Sequence, residues 1–551
     1  MVIGASSQSL RALVKGMPAL CGLAAAALSL LALSCGLSDR GFETSAVRED
    51  RPPAISPDYS GCVIPPNIAP LSFRIAEPGV RYHARIHGGQ GTAIDLSSKS
   101  GSMIIPVDPW RGLLAANRGG ELWFDVWVKN PDGQWQQFDR ITNTVAAEEI
   151  DRYLAYRLIR PLYTKWTTMG IYQRDLESYE ESLVIHNKDF DGGCVNCHTF
   201  LQNSPDSMIA QIRSAQHGVY MLLAQDGEVT RVDTRTPFNA SPAAYSSWHP
   251  NGRLIAFSVN KLCQFFHDTG VEVREVFDDA SDLAVYAIDE NTVTTTAGIS
   301  MPGRQETFPA WSADGRHLYF SSAPATPIDR FLEAKYDLLR ISYDPETGTW
   351  GEPETLVSAE ATDMSATEAK ASPDGRYLMF SMADHGNFPI YQPSCDLYLM
   401  DLETLDFRRL EVNSDRCDSW HSWSSNSRWF VFSSKRDDGL FTRLYISYLD
   451  EEGRAHKPFL LPQKDPAFYD GYLRVYNVPE LYREAVRATP RALATAVYSP
   501  RSELAASLDP NVPLDRPPHE PGPGPWSQAW SDGNLSSGAE QSAPSAAWSH
   551  Q

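Results

Sequence analysis

The 551-residue chain has few basic residues for its size. Lys and Arg together number 48, against 69 Asp and Glu, so the formal net charge is −21 at pH 7. A surface this acidic repels phosphate backbones and anionic lipid headgroups. We therefore expect no nucleic-acid partner.

Sequence signatures of several enzyme classes are also missing. The chain contains no G-x-S-x-G, H-E-x-x-H, G-x-x-x-x-G-K or G-x-G-x-x-G motif. These motifs would mark a serine hydrolase, a zinc hydrolase or a nucleotide-binding site. We therefore do not predict a hydrolase or a nucleotide-dependent enzyme.

Only one long uncharged run occurs, from residue 16 to residue 38, and it follows Arg11 and Lys15. This pattern predicts a signal peptide over residues 1–34 and a lipidated Cys35 as the first residue of the mature chain. An uncleaved signal anchor is the alternative, because 23 uncharged residues are long enough to span a bilayer. Both alternatives export the chain, so we expect it in the bacterial cell envelope, in the periplasm or attached to the outer membrane.

Cysteine is scarce, with eight residues in the chain, and two of them lie in Cys194-Val-Asn-Cys197-His198. In a C-x-x-C-H sequence, both thiols bind a haem covalently and the histidine ligates its iron. A zinc site would need a second ligand pair, and no second C-x-x-C exists. The motif and the export signal together predict one covalent haem c.

Four cysteines remain after the signal peptide, the acylation site and the haem motif are accounted for: Cys62, Cys263, Cys395 and Cys417. In an oxidising compartment they can form two disulfides in three connectivities, or stay buried and free.

A turn followed by an apolar run recurs four times in the second half of the chain. The copies are Trp248-His-Pro-Asn-Gly-Arg253, Trp311-Ser-Ala-Asp-Gly-Arg316, Ala371-Ser-Pro-Asp-Gly-Arg376 and Trp423-Ser-Ser-Asn-Ser-Arg428. Each is followed by a second strand-like phrase, such as Asp396-Leu-Tyr-Leu-Met-Asp401. Two hairpins per period predict a four-stranded blade, and hence a mainly β chain with a β-propeller over residues 205–480. Residues 218–227 show the second phrase only, which leaves five or six blades open.

These phrases resemble the TolB-like (PD40) β-propeller repeat. Over about residues 58–480, the chain resembles a family of exported TolB-like propeller proteins that carry one C-x-x-C-H. The segments that support this resemblance are residues 65–70, 149–161, 194–200 and 421–466. The resemblance implies a fold and a haem, but no substrate.

The resemblance also implies residues around the haem. Family members often show Met-x-x-His-x-Arg after the haem loop, which here reads Met208-Ile-Ala-Gln211-Ile-Arg213. We therefore predict Met208 as the distal iron ligand and Arg213 as a partner of a haem propionate. The alternative ligands near the motif are His186, His217 and Met221. His249 and His421, which lie beside tryptophans of the repeat, are expected to make structural hydrogen bonds.

The other segments differ from the repeat in pattern. Residues 58–145 contain short alternating runs and predict a small β-sandwich. Apolar residues at helical spacing predict a short helical linker over residues 146–204, which carries the haem loop. Residues 35–57 would be a flexible tether, and residues 485–551, rich in Pro, Ala, Ser and Gly, a disordered tail.

Two functions fit this organisation. In the first, the chain is a membrane-anchored, single-haem c-type cytochrome that transfers electrons to and from redox proteins of the envelope. In the second, the propeller is a binding, scaffold or sensor unit in which the haem is accessory. The coordination of the iron separates them, because a six-coordinate, partly exposed haem favours transfer and a five-coordinate or buried one favours sensing.

Overall fold

The computed structural model describes residues 42–161, 168–239, 241–267, 272, 274–499 and 503–513. The predicted signal peptide and Cys35 lie outside these ranges, as does most of the predicted tail. Within the same ranges, none of the helices combines the length and the apolar composition needed to cross a membrane.

An N-terminal unit contains two sheets and one main helix. Its elements are α1 (Phe42–Ser45), β1 (Val47–Arg48), β2 (Ile55–Ser56), β3 (Val63–Ile64), β4 (Phe73–Ile75), β5 (Arg81–Gly88), β6 (Ile94–Ser98), β7 (Ser102–Met103), α2 (Val107–Ala116), β8 (Glu121–Lys129), β9 (Trp135–Gln137) and β10 (Ile141–Val145). Strands β2, β4 and β7 form one sheet, and the other seven form the second. Phe73 and Phe124 stack across the two sheets, with ring centroids 5.5 Å apart. The sheets share a core, and their description as a β-sandwich stays a prediction.

The segment predicted as a helical linker is a sheet, so that prediction is wrong. It contains β11 (Tyr153–Ile159), β12 (Met169–Asp175) and β13 (Glu181–His186), which pair in antiparallel order. Leu154 and Leu158 are spaced as on a helix, but Ala155 and Tyr156 between them are buried as well. A strand buried on both faces has no polar-apolar alternation, so its sequence imitates a helix.

Five further antiparallel sheets follow in chain order. The first two of these sheets contain β14 (Cys194–Phe200), β15 (Ser207–Ser214), β16 (Gly218–Gln225) and β17 (Glu228–Asp233), and then β18 (Ala244–Trp248), β19 (Leu254–Phe266), β20 (Arg274–Ala287) and β21 (Thr292–Thr294). The third and fourth contain β22 (Arg304–Trp311), β23 (His317–Pro324), β24 (Asp337–Asp344) and β25 (Thr349–Val357), and then β26 (Ser365–Ala371), β27 (Tyr377–Ala383), β28 (Asp396–Asp401) and β29 (Phe407–Arg409). The fifth contains β30 (Asp418–Trp423), β31 (Trp429–Ser434), β32 (Arg443–Tyr448) and β33 (Phe459–Leu460). A short helix α3 (Ala359–Thr362) precedes β26, and 3-10 helices occupy Asn187–Asp189, Leu201–Asn203, Ile328–Glu333, Pro389–Tyr391 and Phe468–Gly471.

The last long strand, β34 (Val475–Tyr482), closes these sheets into a ring. It pairs antiparallel with β11, and so completes the sheet formed by β11, β12 and β13. The first strands of the other sheets, β14, β18, β22, β26 and β30, contact one another in sequence, and β34 contacts both β30 and β14. The described residues therefore form a β-propeller of six blades, and it begins at Tyr153 rather than at residue 205.

The chain remains ordered beyond the predicted end of the propeller. Helix α4 (Pro490–Tyr498) buries Leu493, Ala496 and Val497 against the first two blades. Strands β35 (Glu503–Ala505) and β36 (Ser507–Leu508) add in parallel to the outer strands β17 and β21. The prediction of a disordered tail is therefore wrong for residues 490–499 and 503–508.

Candidate functional site

The six innermost strands share one irregularity, which shapes the channel along the propeller axis. Each has a non-glycine residue with positive φ at a β-bulge: Cys197 (37°), Tyr245 (46°), Phe308 (51°), Glu368 (56°), Trp420 (46°) and Val478 (47°). Positive φ is uncommon outside glycine, so its recurrence at six equivalent positions identifies a built feature of the fold. We call these six residues the bulge ring.

The bulge ring divides the channel. The lower mouth is the end where the innermost strands begin, and the upper mouth is the end where they finish. Cys197, Tyr245, Phe308 and Trp420 pack together with Phe388 in one apolar cluster. The rings of Tyr245 and Phe308 are 4.4 Å apart between centroids. Cys197 therefore lies against an aromatic plug.

The C-x-x-C-H motif forms most of strand β14, the innermost strand of the second blade, rather than a loop on a helical linker. Its two thiols and its imidazole are nearly inaccessible, with Cys194, Cys197 and His198 exposed to 3%, 9% and 3%. One rigid strand therefore fixes all three predicted haem-binding groups.

The His198 imidazole is buried without a hydrogen bond to either ring nitrogen from any group in the part of the chain that the structure describes. Burial, followed by the charges of Lys370 and Arg157, lowers its pKa to about 3. The imidazole is therefore neutral with a free nitrogen lone pair, the state that binds haem iron.

The two thiols have different surroundings. Cys197 lines the channel, whereas Cys194 packs in the core between the first two blades. Burial raises the pKa of the Cys197 thiol, and the positive charges of Arg157 and Arg213 act to lower it. Arg213 lies opposite Cys194 in the register of β14 and β15, so the structure does bring this predicted residue to the motif. The neutral His198 imidazole and the Cys197 thiol fit a haem in the channel, whereas Cys194 lies outside the residues that line the channel.

A cavity of about 430 Å³ extends from the bulge ring to the upper mouth, and His198 lines it. This volume is within the range of about 300–1,000 Å³ that ligand pockets occupy. Trp248, Trp311 and Trp423, the tryptophans of the sequence repeat, are at its rim. The sequence repeat therefore contributes residues that line the candidate site as well as the strands of the blades.

Two buried acids and a lysine in this cavity were not predicted. Glu368 accepts hydrogen bonds from the Trp420 backbone N–H at 3.1 Å and from a serine hydroxyl, and burial raises its pKa to about 8. Glu480 accepts from the Phe200 backbone N–H at 2.8 Å, and burial also raises its pKa. Each carboxyl group has one buried oxygen without a partner among the described residues. The charge of the nearby Lys370 opposes both increases.

The sequence contains a pattern that marks the cavity-lining residues of the innermost strands. Cys197-His198-Thr-Phe200 aligns with Trp420-His421-Ser-Trp423 and with Glu368-Ala-Lys370-Ala371, because each segment runs from a bulge to the end of an innermost strand. Reading the haem motif as a further copy of the repeat would have identified both the blade and the cavity-lining residues.

The structure does not bring Met208 to the cavity. Met208 is on β15, paired with Phe200, and is 1% exposed in the core between the first two blades. Ala210 pairs with His198, so Met208 and His198 project from the same face of the same sheet. Met208 is not among the residues that line the cavity with His198, and the structure does not support it as a second ligand.

The other candidate histidines have structural contacts. His249 Nε2 lies 3.0 Å from the Gly315 carbonyl oxygen, and His421 Nε2 lies 2.9 Å from that of Met379. His186 Nδ1 accepts a hydrogen bond from the Lys188 backbone N–H at 2.9 Å. None of His186, His217 and Met221 lines the cavity.

No protein-family model and no curated protein sequence matches the chain. Among solved structures, it is similar to a putative TolB from Agrobacterium tumefaciens, with 15% identity, a TM-score of 0.33, and coverage of 61% of this chain and 100% of that one. It is also similar to the β-propeller domain of the Trilobed protease from Pyrococcus furiosus, with 11% identity, a TM-score of 0.30, and coverage of 63% and 96%. A third similar structure is an oligogalacturonate lyase in complex with manganese, with 13% identity, a TM-score of 0.28, and coverage of 73% and 99%.

Proposed function

We propose that the chain is an exported, membrane-anchored, single-haem c-type cytochrome that transfers electrons in the cell envelope. The observation that carries this proposal is the His198 imidazole. It is buried and neutral, both of its nitrogens lack partners among the described residues, and it follows Cys197 on a single strand. A buried polar group is normally hydrogen-bonded, so an iron ligand accounts for what is otherwise a costly arrangement.

The residues of the chain have separate roles in this proposal. Cys194 and Cys197 would hold the haem by thioether bonds, and His198 would ligate its iron; the bound haem supplies one-electron redox chemistry. Strand β14 is held between two blades, so the imidazole keeps its position. The aromatic plug beside Cys197 excludes water from that side of the motif.

Partner contact is proposed at the upper mouth, where the cavity is open. Electron transfer requires only small and transient protein contacts. A lipid anchor on Cys35 would keep the protein at the membrane and raise its local concentration near redox partners. If Cys35→Ala abolishes acyl labelling and releases soluble protein, the anchor is lipid; retained residues 1–34 would indicate a signal anchor.

A second function is favoured by two features. The motif is buried and Met208 does not reach the cavity, which is the arrangement expected of a sensor rather than a carrier. The second feature is the set of side chains in the cavity. Glu368, Glu480 and Lys370 line the cavity together with His198. An electron carrier does not need ionisable side chains of this kind in its cavity. Such a set suits a propeller that binds a ligand or senses a small gas, with the haem as an accessory.

One set of spectra tests both functions. We expect a pyridine haemochrome spectrum of haem c and a mass increase of one haem, with at most one thioether in Cys197→Ser. Carbon monoxide binding to the reduced protein would favour the sensor, and failure to bind it the carrier. Haem that acid acetone extracts, or a mass without haem, would refute both haem-based functions.

A further inference from the structure

A second, much smaller cavity lies at the lower mouth, away from the site described above. Strands β19 and β20 have 13 and 14 residues, and their far ends extend beyond the blade to the loops of other blades. The side chain of Arg274, at the start of β20, reaches Tyr391 of the fifth blade. The cavity there has a volume of about 40 Å³, and its lining includes Arg274, Lys435 and Thr442.

The lining of this cavity carries an excess of positive charge, in a chain whose overall charge is −21. It contains Arg160, Arg274 and Lys435 against a single acid, Glu272. Glu272 already forms an ion pair with Lys435, which is only 5% exposed. The charge of Arg274 is therefore compensated only in part, because Glu272, which also acts on it, is the ion-pair partner of Lys435.

Arg274 also has unused hydrogen-bond donors. Its guanidinium carbon lies 4.2 Å from the centroid of the Tyr391 ring, and Nη2 donates to the Tyr391 hydroxyl. Nε and Nη1 are buried and have no acceptor within the described ranges, which leaves three N–H bonds unused. Thr442 Oγ1, which also lines the cavity, is equally buried and unpartnered among these residues.

A bound anion would pair the charge of Arg274 and accept hydrogen bonds from its unused N–H groups. Burial and the charge of Arg157 lower the pKa of Arg274, but only to about 10, so the guanidinium is charged at neutral pH. A buried charge with unused donors costs several kcal/mol unless it is paired, and a cation with N–H groups is paired best by a carboxylate or another small oxyanion.

We propose that this lower cavity is a binding site for a single carboxylate group, held by Arg274 and Thr442. Its volume favours so small a group, since a cavity needs about 10–15 Å³ to hold one water molecule. The carboxylate has two possible sources. It is either a free small carboxylate that enters from the solvent, or a carboxylate substituent of a prosthetic group bound at Cys194 and Cys197. Only the second source rests on the proposed function.

Thermal unfolding of the full-length protein as purified tests the first source. We compare sodium formate with sodium benzenesulfonate, an anion too large for the cavity, at equal ionic strength. With a free carboxylate site, formate raises the unfolding midpoint of the wild type by about 1–3 °C, and Arg274→Gln abolishes the increase. The matched control is Arg443→Gln. Arg443 is also buried, but its Nη1 and Nη2 donate to the carbonyl oxygens of Arg474 and Tyr472 at 2.7 Å each. This variant should be less stable and still respond to formate.

The reduction potential tests the second source. If a carboxylate of the haem occupies the cavity, formate has no effect on the wild type. Arg274→Gln then lowers the haem reduction potential, because loss of a nearby cation stabilises the oxidised state, while Arg443→Gln leaves the potential unchanged. Absence of both a formate effect and a potential change in Arg274→Gln would overturn the proposal. If the purified protein contains no haem but formate still stabilises it through Arg274, the carboxylate site is retained and the proposed cytochrome is refuted. Failure of the carboxylate site and failure of the cytochrome can therefore be told apart.

Discussion

His198 and His421 occupy equivalent positions on two innermost strands, yet only one of them is bonded. Each directly follows a residue of the bulge ring, each is buried, and burial lowers the pKa of each to about 3. His421 Nε2 is hydrogen-bonded to the Met379 carbonyl oxygen, whereas neither nitrogen of His198 has a partner among the described residues. The fold thus provides an internal control for the proposed iron ligand.

Replacement of each histidine by glutamine should have opposite effects. His198→Gln should change the visible absorption spectrum strongly, because the haem iron would lose its proposed ligand. His421→Gln should leave the spectrum unchanged and cost about 1–3 kcal/mol of stability, because the Met379 carbonyl oxygen loses its partner. Equal spectral changes in the two variants would contradict the assignment of His198 as the ligand.

The sequence and the packing lead to different expectations for Met208. A thioether ligand would produce an absorption band at about 695 nm in the oxidised protein. Met208→Leu would remove this band. From its position in the core between the blades, we expect instead that Met208→Leu leaves the spectrum unchanged and costs less than about 1.5 kcal/mol. Loss of the band in the variant would restore Met208 as the distal ligand.

Glu368 should make the protein less stable at alkaline pH. Its folded-state pKa of about 8 is above its ordinary value of 4.5, so its contribution to stability is complete below pH 4.5 and is lost as the pH rises through 8. Between pH 6 and 9, denaturant unfolding should therefore show a smaller loss of stability for Glu368→Gln than for the wild type.

Two comparisons limit this prediction for Glu368. Burial also raises the pKa of Asp278 and Glu306 to about 8, so the variant should keep part of the loss. The control Glu333→Gln removes an exposed acid paired with Arg330 and should follow the wild type throughout this pH range. A Glu368→Gln profile identical to that of the wild type would show that the carboxyl group is ionised in the folded protein.

Of the four described cysteines outside the motif, the structure brings together only Cys395 and Cys417. Both are buried in one small cluster, and burial, with a contribution from the neighbouring Cys417 thiol, raises the pKa of Cys395. Cys62 lies in the core of the N-terminal unit, and Cys263 packs beside Phe277.

We therefore expect oxidised glutathione to link Cys395 to Cys417. The bond should stabilise the protein by about 3 kcal/mol, and Cys417→Ser should remove that gain while matching the reduced wild type. Peptide mapping without reduction checks the pairing. A bridge that includes Cys62 or Cys263 would contradict it.

The sequence predicted the third to sixth blades clearly because their strands are bounded by turns that need particular residues, and residues 218–227 indicated the second blade by one phrase only. Gly315 and Gly375 have φ of 72° and 74°, and the Asp-Gly pair at each turn is visible without a structure. The first blade carried no such signal. Its strand β11 is buried on both faces, and its innermost strand β34 comes from the far end of the chain.

The sequence pattern pointed to Cys197 and His198, which line the cavity, but not to the residues around them. The residue types at Cys194, Cys197 and His198 sufficed to predict a haem. The contacts with Glu480 and Lys370 could not be predicted, because they depend on which innermost strands become neighbours when the ring closes. The bulges have no residue preference of their own: Cys, Tyr, Phe, Glu, Trp and Val all occupy them.

If the chain is exported unfolded, as proposed, the closing strand also sets an order of events. Until Val475–Tyr482 emerges, β11 and β14 lack the strand that lies between them in the finished ring, and the thiols of the motif stay within reach of other proteins. Once that strand docks, Glu480 binds the Phe200 backbone, and Cys194 and Cys197 become 3% and 9% exposed. Under the proposed function, we therefore expect covalent attachment at these thiols before β34 docks, because the docked strand leaves them buried.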